Sequence, residues 1–184
     1  EVSFSNVSPK ISLDYTTSNG TLLYGLITKG FKSGGFNIRA NVAAVPDSAN
    51  PFDDESVTSF ELGVKSGLLD ETLFLNAAVF HNDYQDIQLS VFSAFDSNGD
   101  GEDDAFFGDF TNAGEATVRG IETEFQWLPN EHWAIQGNLA YLDAEYDNFI
   151  TNGINVANQQ KFTNAPEVSG ALSAQYNFDA LNGN

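Results

Sequence analysis

The feature that most restricts this chain is the spacing of its apolar residues, which recur at every second position. Such alternation marks seven stretches, near Pro9–Tyr15, Thr21–Phe31, Ser56–Ser66, Thr72–Phe92, Ala116–Leu128, His132–Tyr146 and Glu167–Phe178. A period of two places alternate side chains on opposite faces of a β-strand, and no segment carries the stripe of an amphipathic helix. On the sixth stretch Trp133, Ile135, Gly137, Leu139 and Tyr141 share one parity, and Ala134, Gln136, Asn138 and Ala140 the other. Ile121, Thr123, Phe125 and Trp127 oppose Glu122, Glu124 and Gln126, while Phe60, Leu62 and Val64 oppose Ser59, Glu61 and Lys65. The expected fold is all-β, an antiparallel up-and-down meander of about seven strands.

Connections alternate in length. Thr17–Gly20, Leu69–Glu71 and Pro129–Glu131 are tight, whereas 32–55, 93–115 and 147–166 are long. Short turns at one end of a meander and long loops at the other characterise outer-membrane barrels. Tyr15, Trp127, Trp133, Tyr176 and Phe178 lie on the apolar parity beside the short turns, where a membrane–water boundary favours amphipathic rings. A soluble sandwich would alternate in the same way, with these aromatics capping its core. The two readings separate on Phe60, Leu62, Ile121, Phe125, Trp133, Ile135 and Leu139, which face outward from a wall but inward in a sandwich.

No run approaches the roughly 20 apolar residues of a membrane helix, and the mean hydropathy is −0.24. That average is blind to barrel strands, which cross a bilayer with about 9–11 residues and are apolar at every second one. With 26 acidic and 7 basic residues the formal charge is −19, which opposes phosphate-backbone binding without metal ions, so no nucleic-acid partner is expected. The absence of cysteine excludes disulfides and thiolate metal sites. Without methionine or a visible signal peptide, the chain reads as starting inside a longer precursor. Seven strands cannot close a bacterial barrel, which needs an even number from about 8 upward, so further wall is expected. The terminal 180–184 stretch reads as the start of another short turn.

Several motifs taken in order resemble the barrel region of TonB-dependent outer-membrane receptors over nearly the whole chain. Leu23–Asn37 is similar to a family strand running into a Gly-Phe-Lys-Ser-Gly-Gly-Phe-Asn loop. Glu55-Ser56 with Phe60–Lys65, Asn76–Phe80 with Asp83–Gln88, and Asn112–Ala116 with Arg119–Glu122 resemble the strands that follow. The resemblance implies a roughly 22-stranded transmembrane barrel in the Gram-negative outer membrane. It implies active uptake of a scarce nutrient, most often a ferric siderophore or similar iron complex. Implied partners are outer-membrane lipid and lipopolysaccharide, the receptor's own plug domain, a TonB complex and a small nutrient ligand. Neither a plug nor a TonB box is recognisable in these residues. The competing reading from another class is a secreted, calcium-stabilised β-sandwich module that binds carbohydrate or mediates adhesion.

Three sets of residues are candidates for function. Glu61, Lys65, Glu122, Glu124, Gln136 and Asn138 occupy the polar parity and are expected to line a lumen. Phe36, Asn37, Arg39, Phe92 and Phe95, with Phe106 and Phe107, are loop residues placed to meet a ligand. Arg39 could grip a carboxylate bidentately, or pair simply with Asp53 or Asp54. In the 96–104 loop Asp96, Asn98, Asp100, Glu102 through its carbonyl, and Asp103 or Asp104 reproduce the opening of a calcium loop. Phe107 stands where an EF-hand carries its closing glutamate, so a short calcium loop competes with a solvated acidic turn. No catalysis is expected. Same-face neighbours such as Glu122 and Glu124 lie about 7 Å apart, against about 5–5.5 Å for a retaining glycosidase pair. His81 and His132 sit on different strands and suggest no zinc site.

Overall fold

A computed structural model describes residues 2–43 and 45–178, so the turn expected over 180–184 lies outside the described residues. The strands are β1 (Lys10–Thr16), β2 (Leu22–Lys32), β3 (Gly35–Phe36), β4 (Pro51–Phe52), β5 (Glu55–Leu68), β6 (Leu73–Phe95), β7 (Ala105–Asn130), β8 (Trp133–Thr151), β9 (Ile154–Asn155) and β10 (Val168–Tyr176). The main sheet runs β1-β2-β5-β6-β7-β8-β10, each strand antiparallel to the next, with β9 paired to the end of β8. Neighbours in the sheet are thus neighbours in the sequence, as an up-and-down meander requires.

The registers convert the alternation into two faces. One row crosses the sheet as Tyr15, Leu23, Val64, Ala77, Thr123, Leu139 and Gly170, and the next as Leu13, Gly25, Leu62, Val79, Ile121, Tyr141 and Val168. These rows form a continuous apolar band whose only hydroxyls are those of Tyr15, Tyr141 and Thr123, the last donated to the Leu139 carbonyl. One row further the band is still apolar at Ile11, Ile27 and Phe60, but has become polar at His81, Arg119 and Asp143. An apolar slab crossing rows obliquely is what tilted barrel strands produce. The opposite face carries Tyr24, Gly63, Ala78, Glu122, Ala140 and Ser169, then Lys65, Asn76, Glu124 and Asn138. There the Tyr24 ring covers Gly63, a position closed to any Cβ, and its hydroxyl donates to Glu61 at 2.7 Å.

Exposure decides between wall and sandwich. Leu62, Leu139 and Leu172 are 65%, 58% and 75% exposed, and Phe60, Ile121 and Trp133 are exposed as well; Phe125 and Ile135 are half-buried by neighbours on their own face. Among the described residues, the buried hydrophobic ones are Val91, Ala113, Ala116 and Ala157. A sandwich of this size requires large side chains meeting between two sheets, and among the described residues no second layer covers the apolar band. The secreted β-sandwich reading is therefore replaced by an open wall segment. Trp133 and Tyr176 stand opposite each other beside the short turns with ring centroids 4.9 Å apart, and Trp127 and Tyr15 lie at the same end of the apolar face.

The tight turns form by local chemistry. Gly20 at φ 84 lets the Thr17 side chain and backbone cap the β1–β2 reversal. Leu69, Asp70 and Glu71 all take positive φ, and Asn130 Oδ1 accepts from the His132 and Trp133 amides. The opposite end differs from expectation. The anticipated 93–115 loop is mostly a continued hairpin: β6 persists to Phe95, β7 resumes at Ala105, and only the intervening tip is open. Phe92 and Phe95 on β6, and Phe106 and Phe107 on β7, accordingly lie on strands and not in a loop. Within the third long connection, β8 runs on to Thr151 and turns at Asn152 and Gly153, with φ 49 and 72, into β9. An Asn-Gly pair supports that primed turn because both residues tolerate positive φ.

The two faces respond differently to charge. Arginine at position 139, near the middle of the apolar band, should cost about 2–4 kcal/mol in a lipid-embedded barrel, against little for Asn138→Arg on the opposite face. Denaturant titration of the two refolded variants in vesicles measures this, and equal losses would refute the facial assignment.

Candidate functional site

At 23, 26 and 19 residues, β6, β7 and β8 far exceed the about 9–11 needed to cross a bilayer. Their excess forms a projecting tower. It begins at an irregularity where Tyr84 pairs with Ala116, but the next pairs are Ile87 with Gly114 and Gln88 with Asn112; Asp86 sits between at φ 55. This bulge breaks the period of two and turns Gln88 and Asn112 toward the first long loop.

Gln88 is only 6% exposed, and its Nε2 reaches the carbonyls of Ser33 at 3.0 Å, Asp53 at 3.1 Å and Lys32 at 3.4 Å. Its backbone N–H donates to Glu55 at 3.0 Å. Asn112 grips the same loop from β7: it accepts from the Asp53 N–H at 2.6 Å and donates to the carbonyls of Asp53 and Asp86 at 2.9 and 2.7 Å. Buried amides that satisfy both ends of a loop fix its course, since each unmade bond costs a buried polar group its solvation. Phe52 adds an edge-to-face contact with Phe110 at 5.0 Å, and Lys32 sits 5.6 Å over the same Phe110 ring. Gln88 and Asn112 close and open two of the motifs that carry the family resemblance, but neither motif assigns them a role, because their partners are remote along the chain.

The clasped loop borders a half-open cavity of about 370 Å³ lined by Phe36, Asn37, Ile38 and Arg39 on one side and by Ser90, Asp109 and Phe110 on the other. Phe36, Asn37 and Arg39 thus come together. Phe92 and Phe95 do not join them: Phe92 is exposed, and its carbonyl accepts from Thr151 of the third hairpin at 3.2 Å. Arg39 does not pair with Asp53 or Asp54, and Asp54 instead accepts from the Gly34 N–H at 2.7 Å. Asn37 Nδ2 donates to Asp109 Oδ1 at 2.8 Å and holds the loop over the hairpin.

On the polar face, Glu61, Lys65, Glu122, Glu124 and Asn138 line one concavity of about 560 Å³, with Gln136 beside Asn138 on the same side. Glu124 and Asn76 lie at the limit of a hydrogen bond, 3.5 Å, and Lys65 sits 6.0 Å over the Tyr24 ring. The two histidines are occupied separately, His81 with Asp83 at 2.9 Å and His132 with the Asn177 carbonyl at 3.0 Å.

The acidic tip closes on itself. Asp96 accepts from the N–H groups of Asn98, Gly99 and Gly101, and Asp100 accepts from that of Glu102. Asp104 accepts from the Ser97 N–H, while Asn98 Nδ2 bridges Asp100 and Asp104 at 3.0 Å each. Asp103 and the phenylalanines Phe106 and Phe107 flank this knot. Among the described residues, no group of three or more His, Asp or Glu side chains is arranged to hold a metal ion. The backbone donors of Gly101 and Gly99 hold the Asp96 carboxyl below its usual range, and that of Glu102 does the same for Asp100.

Two outcomes follow from this geometry. Gln88→Leu leaves buried carbonyls unpaired, at about 1–3 kcal/mol, so hydrogen exchange across residues 34–53 should quicken by roughly 10–100-fold; unchanged exchange would remove the clasp. Because the folded Asp96 pKa is depressed, its hold on the tip is complete above the ordinary aspartate range and is lost as pH falls through the folded value. The Gly99 and Gly101 amide resonances should therefore stay fixed from neutrality to about pH 4 and move only below it.

A family profile described as "TonB dependent receptor-like, beta-barrel" matches residues 1–184. The chain is 30% identical over 171 residues to the metal-pseudopaline receptor CntO of Pseudomonas aeruginosa, covering 93% of this chain and 21% of that protein. It is 27% identical over 169 residues to the pesticin receptor of Yersinia enterocolitica, covering 91% and 23%. Its backbone is similar to the crystal structure of the ferric yersiniabactin uptake receptor FyuA from Yersinia pestis, with a TM-score of 0.69 at 23% identity, covering 95% of this chain and 23% of that one. The chain spans less than a quarter of the length of these relatives. Sequentially ordered strands, an apolar outer band and the match along the entire chain agree: this chain belongs to the TonB-dependent receptor family and is part of the β-barrel wall in the Gram-negative outer membrane.

Proposed function

We propose that this chain serves in the active uptake of a chelated metal, most directly a ferric siderophore or similar iron complex, as wall and entrance of a larger receptor. The observation that carries the reading is the pairing of one continuous apolar face with a polar concavity on the other, topped by a clasped loop with its own cavity. Support for the cargo class comes from relatives named for metal-pseudopaline and ferric yersiniabactin. In this reading Glu61, Lys65, Glu122, Glu124, Gln136 and Asn138 face the barrel interior and the receptor's plug domain. Energy comes from a TonB complex, and the apolar band faces lipid beneath a lipopolysaccharide surface. Phe36, Asn37 and Arg39 belong to the external entrance.

For the 96–104 tip we propose calcium as a competitor of the N–H groups that now hold Asp96, Asp100 and Asp104, with Asn98 and the Glu102 carbonyl as further oxygens. Asp96, Asn98, Asp100 and Asp104 already converge on one short turn, which supports this. Saturable binding near about 10⁻³ M, lost in Asp96→Asn, is the expected calorimetric result. No heat in that range would leave the tip as a self-closed turn.

Uptake itself is tested with the full-length receptor in cells lacking their own iron receptors. Radiolabelled iron supplied with a panel of ferric chelates should accumulate for at least one of them, and accumulation should vanish when the TonB complex is deleted. Accumulation that persists without TonB, or a receptor that never reaches the outer membrane, would overturn the proposal.

A further inference from the structure

The cavity under the first loop holds two opposite charges that do not meet. Arg39 comes from the loop and Asp109 from β7, both line the same space, and no ion pair joins them among the described residues. Asp109 Oδ1 is committed to Asn37 Nδ2 and to the Phe110 N–H, both at 2.8 Å, whereas Oδ2 has no donor among the described residues. The other nearby cation, Lys32, is engaged with Glu55 at 3.8 Å and with the Phe110 ring. The walls are fixed before any ligand arrives, because Gln88 and Asn112 clamp the loop and Phe52 abuts Phe110 edge to face. A preformed, partly apolar space with a few fixed polar groups is how small-molecule sites are built.

The charges define what fits. A purely anionic group would satisfy Arg39 but face Asp109 as a like charge, on a chain with formal charge −19. A cation would satisfy Asp109 and meet Arg39. We propose that this cavity takes a zwitterionic group, its carboxylate gripped by Arg39 and its ammonium by Asp109, on an aromatic or aliphatic body lying against Phe36, Phe52 and Phe110. Arg39 supplies a bidentate fork for the carboxylate, and the phenylalanine rings cover the apolar part. The inference rests on the uptake reading only in treating that group as part of the transported chelate.

The test uses the full-length receptor in detergent and three shape-matched probes: L-phenylalanine, 3-phenylpropionate without the ammonium, and phenethylamine without the carboxylate. Saturation-transfer NMR at millimolar concentration should show L-phenylalanine binding roughly tenfold more tightly than either single-charge probe. Arg39→Gln should reduce it to the level of phenethylamine, and Asp109→Asn to that of 3-phenylpropionate. Both variants keep the walls, since an amide oxygen at position 109 still accepts from Asn37. Tighter binding of 3-phenylpropionate, no saturable binding of L-phenylalanine, or binding indifferent to both substitutions would each overturn the zwitterion assignment. Chelate accumulation in cells is measured separately, so loss of the uptake reading leaves this binding comparison standing.

Discussion

In a hydrocarbon environment every backbone N–H and C=O must find a partner within the protein, at a cost of several kcal/mol for each that does not. The ladder from β1 to β10 answers that constraint for every strand between its two edges, and the other features depend on it. Because the ladder alone satisfies the backbone, side chains on the outer face need no polar function and can be uniformly apolar. The inner face can be uniformly wet. The alternation in sequence is thus the imprint of two solvents on one sheet. Where a polar side chain does stand near the turn end of the outer face, it is paired, as Thr21 and Ser66 are at 2.7 Å. Arg119 and Asp143, 2.7 Å apart, mark where that solvent changes.

Beyond the band the same strands continue under different rules. No lipid meets the tower and loops cover part of it, burying Gln88, Val91 and Ala113, so nothing enforces strict alternation, and bulges appear at Tyr84/Ile87, Ile87/Gln88 and Glu115/Ala116. Each bulge frees polar groups to reach sideways. Gln88 and Asn112 use that freedom to hold the first loop, and Asn152 and Thr151 use it to dock the third hairpin on the second. The stacking of Tyr146 on Phe162 at 4.2 Å folds the last connection back in the same manner. Loops of this length are ordinarily mobile; here side-chain amides do what ladder bonds do lower down.

This division explains what could be read from sequence. The seven wall strands and their two faces were legible because lipid and water impose a period that survives in one dimension. Strand ends were not: the alternation is readable as far as Phe92 despite the bulge at Asp86, but the acidic, glycine-rich tip between Ser93 and Glu115 hides the last residues of β6 and the start of β7 at Ala105. Asn152-Gly153 was a readable turn signal that fell inside a segment taken as irregular throughout. At the cavity, Phe36, Asn37 and Arg39 were legible as adjacent loop residues with recognition chemistry. Phe52, Ser90, Asp109 and Phe110 were not, since their roles arise only when remote segments meet.

The acidic character of the chain also depends on where its charges sit. Near the surface an effective dielectric of about 20 makes close like charges costly, and added salt relieves only those facing water. The tip turns three of its carboxylates to backbone N–H groups, which compensate Asp96, Asp100 and Asp104 locally without a basic residue. Asp53 and Asp54 sit in the first loop, the Asp53 backbone tied by Asn112 and Gln88, the Asp54 side chain by the Gly34 N–H. Cations are therefore free to be few and placed for other ends. Lys32 braces the loop, Arg119 closes the top of the band, and Arg39 is left facing an open cavity with its charge uncommitted. Among the described residues five of the seven basic side chains stand without an ion pair, and what sets Arg39 apart is that it lines the same cavity as Asp109.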